Sequence, residues 1–405
     1  MATSKIASSR SRVEGWQADI IMDASKKPIA VYFLCEESYS LFSGDISSSR
    51  FGGAGLQMYF LGEEIAKDPR FSVTFLFQEH DIAQLRHDRI SFEPIRGHAN
   101  KCAALVSRLS RRFLKERAIK HDRSDKVLIA TMAYCARSGL EQAHAIGAKT
   151  IFRVASDNDV NNSPVFPGGQ LPTARLDDIS SCDKVVVQSE KQRDLLRESR
   201  MKESTVIPSG IPAKYSLEDK SNISKDTVLW VSNSSAIKQP WIFTALAKHF
   251  PQEKFVMIMP DVSSDISYAV RILADELDNI ELINEQIPYA ISMEHFNRAK
   301  LFVNTSLREG FPNTFLQAWM TKTPTISWLV DPDDILTRNR LGLACGGDDE
   351  LFFQNFARLV DNTELREIMG RNALKYAHEN HSIQMSAAYY KELILSMISS
   401  EGQEC

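Results

Sequence analysis

A carboxylate and a helix start follow one another between Glu309 and Asn313, and together they could bind an anionic ligand. Glu309 comes shortly after an apolar run at residues 300–303 that is typical of a buried parallel strand. Pro312 suits the first position of a helix and Asn313 is a good capping residue, so we expect a helix to open here. The free amides of its first turn would form an anion site above the strand. Those amides belong to Asn313, Thr314 and Phe315.

A second candidate ligand loop contains Gly52 and Gly53, between an apolar run at residues 29–34 and a helical pattern at residues 56–66. A strand, a glycine turn and a helix open folds of the nucleotide-binding type. The spacing is not G-x-G-x-x-G, so a dinucleotide site is not indicated. The alternative is a close turn between strand and helix that binds no ligand.

Apolar runs and helical patterns alternate along both halves of the chain. This alternation predicts parallel sheets covered by helices on both faces. The pattern restarts at residue 227, after a polar stretch at residues 214–226 that is a plausible hinge. We therefore expect two similar α/β domains that face each other. The apolar runs lie at residues 29–34, 71–77, 126–132, 150–155 and 184–188, and then at 227–231, 254–259, 280–283, 300–303 and 325–329.

The composition argues against several other classes of protein. The 405 residues are 43% hydrophobic and 25% charged, and the net charge of −4 gives no general attraction to nucleic acid or membranes. The six cysteines have neither the spacing of a zinc site nor that of a disulfide framework, which fits a reducing cytoplasm. No run of eighteen apolar residues exists, so we expect no membrane-spanning helix.

The stretch from Glu309 to Pro324, with Gly-Phe directly after the acid, resembles the nucleotide-diphosphate-sugar motif of the glycosyltransferase family 4 (group 1) enzymes. Gly52-Gly53 and the phrases VVQSE and VIPSGIP, at residues 186–190 and 206–212, are similar to that family as well. The resemblance implies the two-domain GT-B fold, in which the last helix crosses back onto the first domain. It divides the chain into a flexible tail (1–27), an acceptor-side domain (28–213), a donor-side domain (214–381) and a returning helix (382–405).

The resemblance also implies roles for single residues. Glu309 would contact hydroxyls of the transferred sugar and Lys238 would bind the donor diphosphate, which makes these two the expected catalytic residues. Asn233 replaces an arginine of the family's phosphate site and Gln317 replaces its second acid, so two contacts to the donor are weakened. The alternative for Lys238 is a surface lysine near a helix start. The expected donor-binding residues are Gly52, Gly53, Asn233, Ile287, Gly310, Phe311, Asn313, Thr314 and Gln317.

No histidine stands where many family 4 enzymes place one against the transferred sugar. Ser156 or Asp157 could make that sugar or acceptor contact, or the acids of this loop could simply cap it and the following helix. Asp157 and Asp159 have the spacing of a metal-binding Asp-x-Asp, but they lie in the wrong half of the chain for the family. We therefore expect neither a metal nor another cofactor.

Residues 96–123 are strongly basic, with nine lysines and arginines against two acids. Leu105, Leu109 and Phe113 form an apolar stripe on the same predicted helix. Such a helix could lie on an anionic membrane, or it could cover the sheet and expose a solvated basic face.

The resemblance implies a metal-independent, retaining glycosyltransferase of hexosyl type. It would act in the cytoplasm, either free or at the inner face of a membrane, on a nucleotide sugar and a glycan or lipid-linked acceptor, and not on nucleic acid. The replaced positions motivate a second hypothesis, a non-catalytic partner of an active transferase. A sugar-nucleotide epimerase on the same fold is the third. The residues do not indicate the nucleobase, the sugar or the acceptor.

Overall fold

The computed structural model describes residues 27–45, 52–77, 80–95, 125–131, 133–160, 179–200, 202–216, 224–260 and 264–399. Two of the sequence predictions fall outside these residues. They are the basic segment at 96–123 and, except for its last residue, the tail at 1–27.

The first domain contains a seven-stranded sheet in the order β3-β2-β1-β4-β5-β6-β7, and all of its neighbouring strands are parallel. In the centre, Val31 of β1 lies opposite Val73 of β2 and Val127 of β4. These central strands are almost continuously apolar because helices cover both of their faces. The strands are β1 Ile29–Leu34, β2 Phe71–Phe77, β3 Ile90–Pro94, β4 Lys126–Thr131, β5 Lys149–Arg153, β6 Lys184–Val187 and β7 Thr205–Val206.

The second domain contains a six-stranded parallel sheet in the order β10-β9-β8-β11-β12-β13. Strand β11 lies between β8 and β12, so the loops after β8 and β11 meet at one edge of the sheet. In parallel sheets this carboxyl edge is where ligands bind. The strands are β8 Thr227–Val231, β9 Lys254–Ile258, β10 Ile280–Ile283, β11 Ala299–Asn304, β12 Thr325–Ser327 and β13 Gly342–Ala344.

Helices connect the strands in both domains. Polar residues define several helix starts: Asp348 accepts a hydrogen bond from the Leu351 amide and Asn362 accepts one from the Leu365 amide, each at 2.9 Å. The helices are α1 Tyr39–Ser43, α2 Gly53–Ile65, α3 Ala133–Ala145, α4 Glu190–Arg200, α5 Pro240–His249, α6 Ser264–Asp275, α7 Tyr289–Arg298, α8 Asn313–Met320, α9 Ile335–Arg338, α10 Asp349–Asp361, α11 Thr363–Asn380 and α12 Ile383–Ser399.

Helix α12 crosses back to the first domain, as the sequence predicted. It packs on α2, and its apolar face joins the core under β1 and β2 through Ala387, Tyr390, Ile394 and Met397. The crossing is held by backbone hydrogen bonds, because the Ile211 amide donates to the His381 carbonyl at 2.8 Å and the Ile383 amide donates to the Ile211 carbonyl at 3.2 Å. The chain passes between the domains twice, after Ile211 and again before Ile383, and these hydrogen bonds join the two passages. We call this junction the hinge.

The structure differs from the sequence predictions in some local features. Between β1 and the glycine turn, where no helix was predicted, the described residues form a helical turn, Glu36–Ser38, and α1, with Tyr39 buried. Strands β3, β7 and β13 were not predicted. They are short or partly exposed, so their apolar patterns are weak.

Candidate active site

Lys238 and Glu309 form an ion pair at the carboxyl edge of the second sheet. Lys238 ends a helical turn after β8, and Glu309 lies in the loop between β11 and α8. The Nζ atom of Lys238 contacts Oε1 of Glu309, and Ser306 donates a hydrogen bond of 2.7 Å to the same oxygen. The side chains are 19% and 17% exposed, so the pair is sheltered but still accessible to a ligand.

The two loops that carry this pair are joined by buried hydrogen bonds. Thr305 donates to the Lys238 carbonyl at 2.5 Å and accepts from the indole of Trp230 at 2.9 Å. The Leu307 amide donates to the Ile237 carbonyl at 2.8 Å. Thr305 and Ser306 were not identified from the sequence, although they lie immediately after β11, where site residues of parallel sheets occur.

Helix α8 begins at Asn313, and its N-cap residue is Pro312, which makes no side-chain capping bond. The prediction that Asn313 caps the helix is therefore wrong, because its Oδ1 accepts a hydrogen bond of 2.8 Å from Gln57 of the first domain. The Phe315 amide is not free either, since it donates to the Pro312 carbonyl at 3.1 Å. Thr314 is half-buried at the same helix end. Phe311 is buried, with its ring centre 4.6 Å from that of His381 at the hinge.

Gly52 and Gly53 lie at the start of α2, and each lies close to a polar side chain of the same protein. The Gly52 and Gly55 amides donate to Oε2 of Glu37 at 3.1 and 3.3 Å. A Cβ atom on Gly52 would lie 2.6 Å from that oxygen, and one on Gly53 would collide with Nδ2 of Asn313. Burial raises the pKa of Glu37, and the two amides partly offset this effect. The Glu37 carboxylate therefore accepts the hydrogen bonds of two amides at the start of α2.

The loop of Glu309 also touches the first domain. A Cβ atom on Gly310 would lie 2.8 Å from the Ala155 carbonyl and 3.3 Å from Cα of Ser156. Asp157 is buried beside this contact, where it accepts a hydrogen bond of 3.1 Å from Gln192 and pairs with Lys191 at 3.4 Å.

Burial raises the pKa of Asp157, although the nearby Lys191 opposes the shift. Asp159 has the capping role considered from the sequence, because it accepts hydrogen bonds from the Ala155 and Ser156 amides at 3.0 Å each. The structure therefore brings Ser156 and Asp157 to the Glu309 loop.

Three predicted donor-binding residues lie apart from the ion pair. Asn233 is exposed after β8, and Ile287 packs against the apolar core of the second domain. Gln317 is 5% exposed, and its Nε2 lies 3.7 Å from the sulfur of Met293. Burial raises the pKa of Tyr289, and the Gln317 side chain beside it partly opposes this shift as a hydrogen-bond partner. Sequence alone did not reveal that Gln317 is enclosed.

A cavity of about 450 Å³ lies between the domains beside Glu309. Its wall includes Arg308, Glu309 and Gly310 from the second domain and Asp157 and Lys191 from the first. Asp331, Pro332 and Asp334 also line the cavity. Asp333 reaches across the domain boundary there and accepts hydrogen bonds of 2.9 Å from the Glu190 and Lys191 amides at the start of α4.

Within the described ranges, no group of three or more His, Cys, Asp or Glu side chains is arranged to hold a metal ion. The same residues include no helix that is long and apolar enough to cross a membrane.

Solved structures with both sheets in this arrangement define the class of fold. Sucrose-phosphate synthase from Thermosynechococcus elongatus superposes with a TM-score of 0.74 at 16% identity, over 92% of this chain and 100% of that chain. The Anabaena protein HepE, in complex with UDP and glucose, gives a TM-score of 0.70 at 13% identity, over 91% of this chain and 100% of that chain. The protein therefore has the GT-B fold, as the sequence predicted.

A family model matches part of the second domain. Residues 228–362 match the model of the family described as "Glycosyl transferases group 1". A Xenopus tropicalis protein named glycosyltransferase 1 domain-containing protein 1 is 28% identical over 148 residues, which are 36% of this chain and 42% of that relative. The match thus spans less than half the length of the relative. Residues 228–362 are thus similar to the group 1 glycosyl transferases, which confirms the predicted resemblance at the level of group 1.

Proposed function

We propose that this protein is a retaining family 4 glycosyltransferase that moves a hexosyl group from a nucleotide-diphosphate sugar to a glycan or glycolipid acceptor in the synthesis of a polysaccharide or glycoconjugate. The observation that carries the proposal is the Lys238–Glu309 pair at the carboxyl edge of a group 1 domain, beside the uncapped start of α8. A cation and a helix N-terminus stabilise a departing diphosphate, and a carboxylate binds sugar hydroxyls. The UDP, glucose and UDP-glucose in the HepE structures support a nucleotide sugar as the donor.

Lys238 and Glu309 can bind different parts of a nucleotide sugar. The ammonium group of Lys238 has three hydrogens, so it can keep its contact with Glu309 while it donates to a phosphate oxygen. Ser306 holds Oε1 of Glu309, which leaves the other carboxylate oxygen to accept from a sugar hydroxyl. The closeness of Gly310 to the first domain would exclude water from the reacting sugar.

Donor hydrolysis tests the proposal. The protein would be incubated with labelled UDP- and GDP-sugars, and release of the nucleoside diphosphate would be followed with and without EDTA. We expect slow hydrolysis that persists in EDTA and falls by about 100-fold or more in Glu309→Ala, because an interaction with the transition state is lost. Glu276→Ala, at an exposed site remote in sequence, is the control and should leave the rate unchanged.

Retention is tested separately, by the anomeric configuration of the first product in proton NMR. Inversion of the configuration would contradict a retaining mechanism. Failure to bind or hydrolyse any nucleotide sugar would contradict the proposed function as a whole.

A non-catalytic partner of an active transferase is the second candidate, and specific contacts favour it. Gln317 is enclosed instead of facing a ribose, and Glu37 occupies amides at the glycine turn. Binding of a nucleotide sugar without turnover on any acceptor, together with stimulation of a second transferase, would support this candidate.

We further propose that the protein acts in the cytoplasm and that residues 96–123 contact anionic membrane. The nine basic residues and the apolar stripe of that segment support the proposal. Vesicles containing phosphatidylserine should float with the protein, and reversing the charge of Arg108, Arg111 and Arg112 should abolish this. Unchanged flotation of the variant would argue for a helix that only covers the sheet.

A further inference from the structure

Gln57 connects three parts of the molecule. It lies in α2 of the first domain, with 5% of its surface exposed. Its Nε2 donates to the Gly210 carbonyl at 2.9 Å and to Oδ1 of Asn313 at 2.8 Å, and its Oε1 accepts from the Gly210 amide at 3.0 Å. The side chain thus joins α2, the hinge and the first residue of α8.

The contacts with Gly210 fix which way the Gln57 amide points. A reversed amide would place Oε1 against a carbonyl oxygen and Nε2 against an N–H group, so both hydrogen bonds would be lost. The second hydrogen of Nε2 must then meet Asn313, and only an oxygen can accept it. The hinge backbone therefore sets the orientation of Asn313 through Gln57.

The orientation of Asn313 directs its Nδ2 toward the opposite domain. A Cβ atom on Gly53 would collide with this nitrogen, which places the nitrogen at the meeting point of the α2 and α8 starts. An amide N–H group at the start of α8 adds a donor to the helix amides at that end. A phosphate bound there would meet a nitrogen and not a carbonyl oxygen.

We infer that Gln57 is a positioning residue: it holds Asn313 with Nδ2 available to the phosphates of the nucleotide donor, and it couples that donor to the closed arrangement of the two domains. The inference rests on the proposed function, because it takes the diphosphate to bind at the start of α8. Gln57 itself would touch neither the sugar nor the phosphates. Because it acts through Asn313, the effect of changing Gln57 on the Kd of the nucleotide should depend on whether Asn313 is present.

A double-mutant cycle tests the inference. Binding of UDP, GDP and ADP would be measured by calorimetry on the full chain, and the nucleotide that the unmodified protein binds most tightly would be used. Gln57→Glu keeps the shape and still accepts from the Gly210 amide, but it cannot donate. Asn313 must then turn its Nδ2 to the new carboxylate and its oxygen to the cleft. We expect Kd to rise about tenfold, as for the loss of one hydrogen bond to a charged group.

In the Asn313→Ala background, the same Gln57→Glu change should raise Kd only by the part that comes from its added negative charge near the diphosphate, because the residue through which Gln57 acts is gone. Thermal unfolding of every variant would accompany the binding data. If Gln57→Glu does not fold, Gln57→Met replaces it, with an expected rise in Kd of about threefold because Asn313 is then only released and not reversed.

Each outcome is decisive. A rise in Kd on Gln57→Glu that is clearly larger with Asn313 than without it supports the inference. An equal effect in both backgrounds, or none in either, would overturn it and leave the proposed function standing. If the unmodified protein binds no nucleoside diphosphate, the proposed function and the inference both fail.

Discussion

Two opposite charges, Lys238 and Glu309, share one sheltered position at the carboxyl edge of the second sheet. In the sequence, Lys238 alone could be an ordinary surface lysine near a helix start. In the structure, Ser306 and Thr305 hold the carboxylate and the lysine-bearing backbone in fixed relation. A ligand with both phosphates and hydroxyls can satisfy both charges at once, which is why we assign this pair to a nucleotide sugar.

Glu37 offers a prediction at the scale of a single residue. Its carboxylate lies at the start of α2, close to where a donor diphosphate is proposed to bind, so its negative charge should oppose the diphosphate. In a Glu37→Gln variant the new side-chain amide can still accept from a glycine amide while it carries no charge. We expect nucleoside diphosphate to bind about three- to tenfold more tightly, as measured by calorimetry at low salt.

Glu93→Gln, at an exposed position of the outermost strand β3, is the control, since it should not change affinity. Weaker binding in Glu37→Gln would show instead that the carboxylate is needed to shape the turn for the donor.

At the scale of elements, most central strands were predictable because parallel strands buried on both faces are nearly all apolar. Strands β1 and β8 match the predicted runs, and the return of α12 to the first domain was implied by the resemblance to the glycosyltransferase family. Short outer strands such as β7 and β13 carry too few residues to show a period. The helix was expected to open at Pro312 and Asn313, and α8 does begin at Asn313, but the capping role of Asn313 was wrong because its capping preference could not reveal its partner in the first domain.

Asp333 offers a prediction at this scale, since it caps α4 from the other domain. Its backbone is left-handed, with φ of 51°, which costs energy for a residue with a side chain. Asp333→Ala should lower stability by about 1 kcal/mol through loss of the cap. Asp333→Gly loses the same cap, but glycine adopts the left-handed backbone without strain. Its loss of stability should therefore be smaller than that of Asp333→Ala.

Chemical denaturation followed by intrinsic fluorescence would measure both variants of Asp333. An Asp333→Gly variant that is less stable than Asp333→Ala would contradict the role assigned to the left-handed backbone. If both variants were as stable as the unmodified protein, the stabilising role of Asp333 as a cap of α4 would be contradicted.

At the scale of the whole molecule, the hinge joins the domains through buried polar groups. Ser209 accepts a hydrogen bond of 2.9 Å from Arg153 and donates one of 2.7 Å to Gln188. Its carbonyl accepts from Nδ1 of His381 at 2.8 Å, and the imidazole ring lies against Phe311 of the Glu309 loop. The hinge therefore packs directly against the loop that carries Glu309.

His381 makes stability depend on pH. Burial lowers its pKa from 6.5 to about 4. Between these two pH values, the unfolded chain therefore binds a proton at His381 and the folded protein does not. Its stabilising contribution is complete above pH 6.5 and is lost as pH falls toward 4, by roughly 3 kcal/mol in total. The neighbouring Tyr376 stays neutral in this range, since burial raises its pKa to about 12.

Urea unfolding between pH 7 and pH 4 would measure this dependence. His381→Asn retains a donor for the Ser209 carbonyl but does not titrate, so its stability should fall less steeply over that range. His144→Gln, at an exposed position of α3, is the control and should keep the steep fall. An unchanged slope in His381→Asn would assign the acid sensitivity to other groups.

The sequence by itself determined the two parallel sheets and the resemblance to group 1 glycosyltransferases, because these depend on local periodicity and on short motifs. The returning helix was expected only because the resemblance implies it. Only the tertiary structure showed that Glu37 fills the glycine turn, that Gln317 is enclosed, and that Gln57 reaches Asn313. Gln57 and Asn313 are 256 positions apart, and no local pattern records such a pairing. Contacts across a domain boundary follow from how two finished domains meet, and that depends on the shape of both surfaces and on the hinge between them.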